Sequence, residues 1–197
     1  TGNNWRGDPP SGFMVMPGTY EAELVVGHNG ETQVLAGPVA FNVKRLRTGA
    51  LPSAPLDEIE RFNTELDDLY GQTAAVRYTI RDARQQLDRL TTMLARMSRP
   101  LPSGSRRVHA IRAELFEIEA LVFGVDVQDD IGGYGPMSVS SWLGHARRGV
   151  SNSSYGPTAS HRQSVDHARS VFEPVKAQLN ELVDVALPTL KREMQAA

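Results

Sequence analysis

Apolar residues recur at two different periods along this chain, and the change of period divides it. From Tyr20 the pattern alternates: Tyr20, Ala22, Leu24 and Val26 fall on one side, Glu21 and Glu23 on the other. A period of two is the signature of a half-covered β-strand. Asn29-Gly30 follows, the preferred pair for a type I′ hairpin turn. A returning strand is expected at about Thr32 to Leu35. Gly37-Pro38 should break it, and Val39, Phe41 and Val43 alternate again. With the short apolar run Phe13 to Met16, closed by the turn-forming Pro17-Gly18, this predicts three or four strands in residues 1–46. Such a sheet is too small to stand alone. Its apolar face, with Tyr20, Leu24, Phe41 and Val43, must pack on the helices or on further polypeptide.

Beyond residue 55 the period becomes helical. Residues 47–55 hold Gly49, Pro52 and Pro55 and read as a linker. Pro55, Asp57 and Glu58 suit a helix start. Ile59, Phe62, Leu66, Leu69, Thr73, Val76, Ile80, Ala83, Leu87, Leu90, Leu94 and Met97 then alternate steps of three and four. That heptad seam predicts one helix over 56–97, about 60 Å long at 1.5 Å per residue. Gly71 weakens its middle without interrupting the register. The stretch "SRPLPSGS" (98–105) is a break, with Ser105 placed to cap a second helix. That helix carries Val108, Ile111, Leu115, Ile118 and Val122 to about Phe123. Thr158 caps a third, with a seam of Val165, Ala168, Phe172, Val175, Leu179, Leu182, Ala186 and Leu190, kinked by Pro174 and Pro188.

The expected fold is therefore α+β and mainly α. A small antiparallel β-unit precedes an antiparallel helical bundle, 56–197, with one very long helix. The second helix spans about half the first, so the Gly-rich segment 124–157, with seven glycines, must help to cover the remainder. Within it, Ser138 to Arg147 fits one short helix with Trp142 and Leu143 facing inward. Trp142 is then expected to plug the seam beyond the second helix. The alternative is a partner surface built from Tyr134, Trp142, Arg147, Arg148 and Tyr155.

Composition narrows the function. Lys+Arg is 21 and Asp+Glu 23, a net charge of −2, with no general pull on nucleic acid or anionic membrane. No apolar run reaches the ~18 residues of a membrane span. Cysteine is absent, which removes disulfides, thiolate metal sites and cysteine nucleophiles. His161 and His167 are six apart and do not share the face of an i, i+4 metal pair. Asp129-Asp130 lacks the alternating oxygen ligands of an EF-hand loop. Nucleophile-elbow, P-loop and dinucleotide-binding glycine patterns are missing, and the carboxylates of the long helices sit between seam positions as a charged surface. Arg6-Gly7-Asp8 spells an integrin-type tripeptide, a match that three residues reach by chance. These readings assign no catalytic residue, metal or cofactor.

Two stretches carry a resemblance. "MVMPGTYEAEL" (14–24) ahead of helices resembles the C-terminal region of bacterial exported proteins with sortilin-like, Asp-box β-propellers, where a β-module with a "PGTY" turn leads into a helical tail. The segment 141–194, with its "PT" helix start, "F-x-P-V" and "LP-x-L", is similar to the end of that tail. The S-x-D-x-G-x-T-W propeller box itself does not occur. The resemblance implies that the β-unit is the remnant of an immunoglobulin- or fibronectin-like sandwich joining propeller to tail. It also implies a secreted or periplasmic location. The chain begins at Thr1, which is expected of a processed form or a piece of a longer polypeptide. The expected function is a non-catalytic accessory or protein-interaction module, monomeric as a fragment, whose partner is the rest of its own polypeptide or another protein. The rivals are an enzyme of unrecognised type using 124–157, and a coiled-coil dimerisation element.

Overall fold

The computed structural model describes residues 15–46, 52–98, 101–125, 136–151 and 153–196. Among these the chain is mainly helical, with one two-stranded antiparallel sheet ahead of the helices. The strands are β1 (Gly18–His28) and β2 (Glu31–Val43). The helices are α1 (Leu56–Arg96), α2 (Pro102–Phe123), α3 (Val139–Ser151), α4 (Ala159–Glu181) and α5 (Leu187–Ala196). A π turn, Leu182–Ala186, joins the last two.

The hairpin turn is where the residues place it. Asn29 (φ 51°) and Gly30 (φ 84°) both adopt the left-handed region that a type I′ turn needs. The expected break at Gly37-Pro38 is not a break. β2 runs through it as one strand of 13 residues, and the missing pairing is taken up by irregularities. Ala22 faces Val39, Leu24 faces Ala36 and Val25 faces Val34, so both extra loops of chain lie on β2. Gly37 makes this possible. Its φ is +105°, and a Cβ there would lie 2.6 Å from the Ala22 carbonyl oxygen. Val15 and Met16 belong to no strand, and Phe13 lies outside the described residues, so three or four strands reduce to two.

α1 is continuous across Gly71, which is exposed on its polar face. Its seam is the predicted one from Ile59 to Leu90, with Phe62, Leu66, Leu69, Thr73, Val76, Ile80, Ala83 and Leu87 all buried, while the last two predicted positions differ: Leu94 is half-buried and Met97 lies past the helix end. α2 starts earlier than expected. Pro102 takes the first turn, where its missing N–H costs nothing, and Ser105 lies inside the helix instead of capping it. α4 begins as predicted. Thr158 Oγ1 accepts from the His161 N–H, and His161 Nδ1 accepts from the Thr158 N–H, so histidine fills the place glutamate usually takes in a capping box.

Three layers make the bundle. α2 runs antiparallel to α1, with Arg84 paired to Glu119 and Asp88 to Arg112. α3 follows α2 along the same side of α1, also antiparallel, with Arg147 on Asp67. α4 turns back and runs parallel to α1. Glu58 pairs with Arg162, Glu65 with Arg169, and Gln72 with Lys176, three rungs at one heptad spacing in both helices. Each rung is half-exposed, and such partly solvated pairs contribute little alone. Their constant offset fixes the register between α1 and α4. α2 and α3 together therefore cover what α2 alone cannot.

The prolines of the third layer act differently from each other. Pro174 sits on the exposed face of an unbroken α4, where the carbonyl it leaves without a partner can turn to solvent. Pro188 would collide with the carbonyl four residues before it in an α-helix. The π turn widens the chain there, with the Leu187 N–H bonded to the Leu182 oxygen. The extra residue moves the seam by one: Leu187, Leu190 and Met194 are buried, while Ala186 is only half-buried.

Candidate interaction surface

The segment expected to plug the bundle does so, with Leu143 facing inward as expected and Trp142 only in part. α3 is strongly amphipathic and buries Val139, Leu143, Ala146 and Val150, with Leu143 at 0% exposure. Ser138 sits ahead of it, its Oγ accepting from the Ser141 N–H at 3.2 Å. Trp142 is not the plug. One residue from Leu143, it is rotated to the flank facing α4, half-buried, with its ring edge-on to His167 at 4.8 Å. Its Nε1 is enclosed and finds no acceptor among the described residues.

Arg147 occupies the opposite flank of α3, facing α1. Its guanidinium lies 4.8 Å from the Tyr70 ring centre and 3.3 Å from Asp67 Oδ1. Burial raises the Tyr70 pKa above its ordinary value, and the positive charges of Arg147 and Arg148 pull it back. Arg148 is exposed. Tyr155 lies past the end of α3, in the turn to α4, where its carbonyl accepts from the Ala54 N–H at 2.9 Å. Tyr134 lies outside the described residues, as do Arg6-Gly7-Asp8, Asp129-Asp130 and Gly132, Gly133 and Gly135. Trp142 and Arg147 thus lie on opposite flanks of α3, and Tyr155 lies past its end. Tyr70 and Asp67, which hold Arg147, escaped sequence reasoning because both lie off the α1 seam.

At the α3–α4 turn the His145 and His161 rings meet edge-on at 5.7 Å. His161 presses onto Gly149, where a Cβ would lie 2.0 Å from its Nε2. Burial lowers the His161 pKa, and His145 lowers it further. Among the described residues no three His, Asp or Glu side chains converge as metal ligands.

The hairpin is the part of the molecule left uncovered. It meets the bundle at its base, where the Arg45 guanidinium donates to the Ser154 carbonyl at 3.1 Å. A cleft of about 300 Å³ lies beside that contact, lined by Met16, Val43, Leu56, Ile59 and Val150. Above the base both faces are open. Cross-strand pairing puts Tyr20 with Phe41, Ala22 with Val39 and Leu24 with Ala36 on one face. The Tyr20 and Phe41 rings stack at 5.9 Å. On that face Leu24 is 59% exposed, Val39 65% and Phe41 47%. Of the two expected covers for this face, the helices and further polypeptide, the helices are not one: they cover one another and leave it open. The physical reason is that α1, α2, α3 and α4 already fill the seam from within.

No protein-family model matches the chain, no curated protein matches it, and no solved structure matches it. No helix among the described residues is long and apolar enough to cross a membrane.

Proposed function

We propose that this chain is a non-catalytic protein-interaction module in which a self-sufficient helical rod carries a β-hairpin that completes another β-structure. The open apolar face of the hairpin carries this reading. Fully burying a side chain such as Leu, Val or Phe is worth about 1.5–3 kcal/mol relative to leaving it exposed. Large contiguous apolar patches on a folded surface mark interaction sites. A two-stranded hairpin alone is marginal in water, so this one gains most from a partner. The likeness of "MVMPGTYEAEL" to the β-module of exported propeller proteins supports the same role outside the cytoplasm, with another protein or the rest of the same polypeptide as the partner. The seam of α1 is filled by α2, α3 and α4, which speaks against a dimerising coiled coil and for a monomer.

Photo-cross-linking in the source cells tests this. A photoreactive residue at position 24 or 39, on the apolar face, should yield the same adduct. One at position 21, on the opposite face among Thr19, Glu23 and Asn42, should yield much less. Equal adducts from both faces, or none from 24 and 39, overturn the reading.

A further inference from the structure

The two long edges of the hairpin are not equivalent. β2 carries Pro38, which has no N–H to offer, and both pairing irregularities. Prolines and bulges are the devices by which natural sheets close an edge to further pairing. β1 has neither. It runs for 11 residues, Gly18–His28, without proline or added residue, and alternate residues turn their N–H and C=O groups away from β2. Among the described residues no third strand pairs with it.

Charge divides the strand in the same way. The charged side chains of β1 before His28 are Glu21 and Glu23, both exposed on the face opposite Tyr20 and Leu24, which they share with the exposed Val25–Val34 pair. Neither forms an ion pair among the described residues. Glu21 faces Ala40, and Glu23, inside the irregular stretch, lies beside Gly37, so neither meets a positive charge there. Opposite charges on neighbouring strands stabilise a sheet, and like charges oppose it.

Resting on the interaction role above, we propose that the outer edge of β1 is the docking edge and takes a partner protein's strand by β-addition. That strand carries Val, Ile or an aromatic residue at alternate positions and Lys or Arg at the others. The backbone supplies affinity along Tyr20 to Gly27. The apolar positions of the added strand widen the face of Tyr20, Leu24 and Phe41, and its basic positions lie beside Glu21 and Glu23. β2 stays outermost, with Pro38 blocking further growth of the sheet.

The test uses the full chain, isotopically labelled, and two synthetic peptides of about ten residues. One alternates valine with lysine, the other valine with glutamate. The lysine peptide should slow amide exchange at alternate residues of β1 and leave the outer edge of β2 unchanged. It should bind about tenfold more tightly than the glutamate peptide, the ratio expected of two favourable cross-strand charge pairs. The double variant Glu21→Lys, Glu23→Lys keeps the apolar face and should reverse the preference. Several results overturn the proposal: protection on β2 instead of β1, binding indifferent to peptide charge, or no binding. β1 amides already slow in the free chain do so too, since the edge is then covered from within. If the peptides fail while positions 24 and 39 still cross-link one partner, the edge is refuted and the interaction role stands.

Discussion

Removing the side chain of Leu143 should destabilise this protein far more than removing the indole next to it. Leu143 is fully enclosed where α3 meets α1 and α4. Leu143→Ala deletes three carbons, about 2.4 kcal/mol at ~0.8 kcal/mol per buried methylene. The cavity left between three helices adds to this, so about 3–4 kcal/mol is expected, inside the range for buried leucines. Trp142 is half-buried on the flank of α3 and holds an enclosed Nε1 without an acceptor. Trp142→Ala loses ring packing on His167, but it also removes an orphan donor whose burial costs about 1–3 kcal/mol. The two effects oppose each other, and a net loss near 1 kcal/mol is expected. Trp142→Phe keeps a ring against His167 and deletes the donor, so it should be neutral or slightly stabilising. Guanidinium unfolding followed by circular dichroism at 222 nm measures all four proteins, provided the denaturant slope is shared. A loss from Trp142→Ala equal to that from Leu143→Ala would refute the assignment of Leu143 as the plug.

The cap and the serine that does not cap should separate cleanly: Thr158→Ala should cost about 1 kcal/mol, while Ser105→Ala, inside α2, should stay within ~0.5 kcal/mol. His161 has a folded pKa below its unfolded value near 6.5, so the unfolded chain binds the proton first. Its contribution is complete above about pH 6.5 and is lost as pH falls through the interval below. His161→Gln keeps an acceptor for the Thr158 N–H but cannot titrate, and urea midpoints compared at about pH 7.5 and 5.5 should converge in that variant. An unchanged pH dependence would move the effect to another group. Gly149→Ala should destabilise the packing of the end of α3 on the start of α4, because a Cβ there overlaps His161, and His161→Ala should relieve much of that loss in a double-mutant cycle.

How much of this was written in the sequence depends on whether a feature is local. The α1 seam was legible residue by residue, because a heptad pattern needs only its own spacing to declare which side is buried. Thr158 was legible as a cap for the same reason, with Pro157 before it and apolar periodicity after it. The start of α2 was misplaced by four residues, since "PSGS" carries two strong breakers, and the proximity of this turn to Leu94 of α1 decides the matter. Gly104 in that turn would place a Cβ 2.8 Å from Leu94 Cδ2. The continuity of β2 through Gly37-Pro38 was hidden because a bulge and a chain break use the same two residues. The choice of Leu143 over Trp142 was hidden because one helical step of rotation exchanges them, and only the direction of α1 and α4 fixes that rotation. For the candidate site, Arg147 was picked out by its charge, but its role against Tyr70 and Asp67 depends on contacts between helices far apart in the chain.

The same distinction explains why a strand-like leader can precede a helical rod without being absorbed by it. A helix satisfies its own backbone, so the bundle needs from its members only one apolar stripe each. α1 spends its stripe on α2 and α3 along one side and on α4 along the other, and the three rungs Glu58–Arg162, Glu65–Arg169 and Gln72–Lys176 hold that register. Nothing apolar of comparable extent remains on α1 to receive a sheet. A hairpin, by contrast, leaves half of its backbone groups and one whole face unsatisfied. The sequence closes one of its edges with Pro38 and leaves the other plain, and it places tyrosine, leucine, valine and phenylalanine where water now meets them. A hairpin selected only to end a chain would carry polar residues on both faces and a broken edge on both sides. This one has the irregularities and Pro38 on one side only and lines one face with Tyr20, Leu24, Val39 and Phe41, and the proposed docking edge rests on that asymmetry.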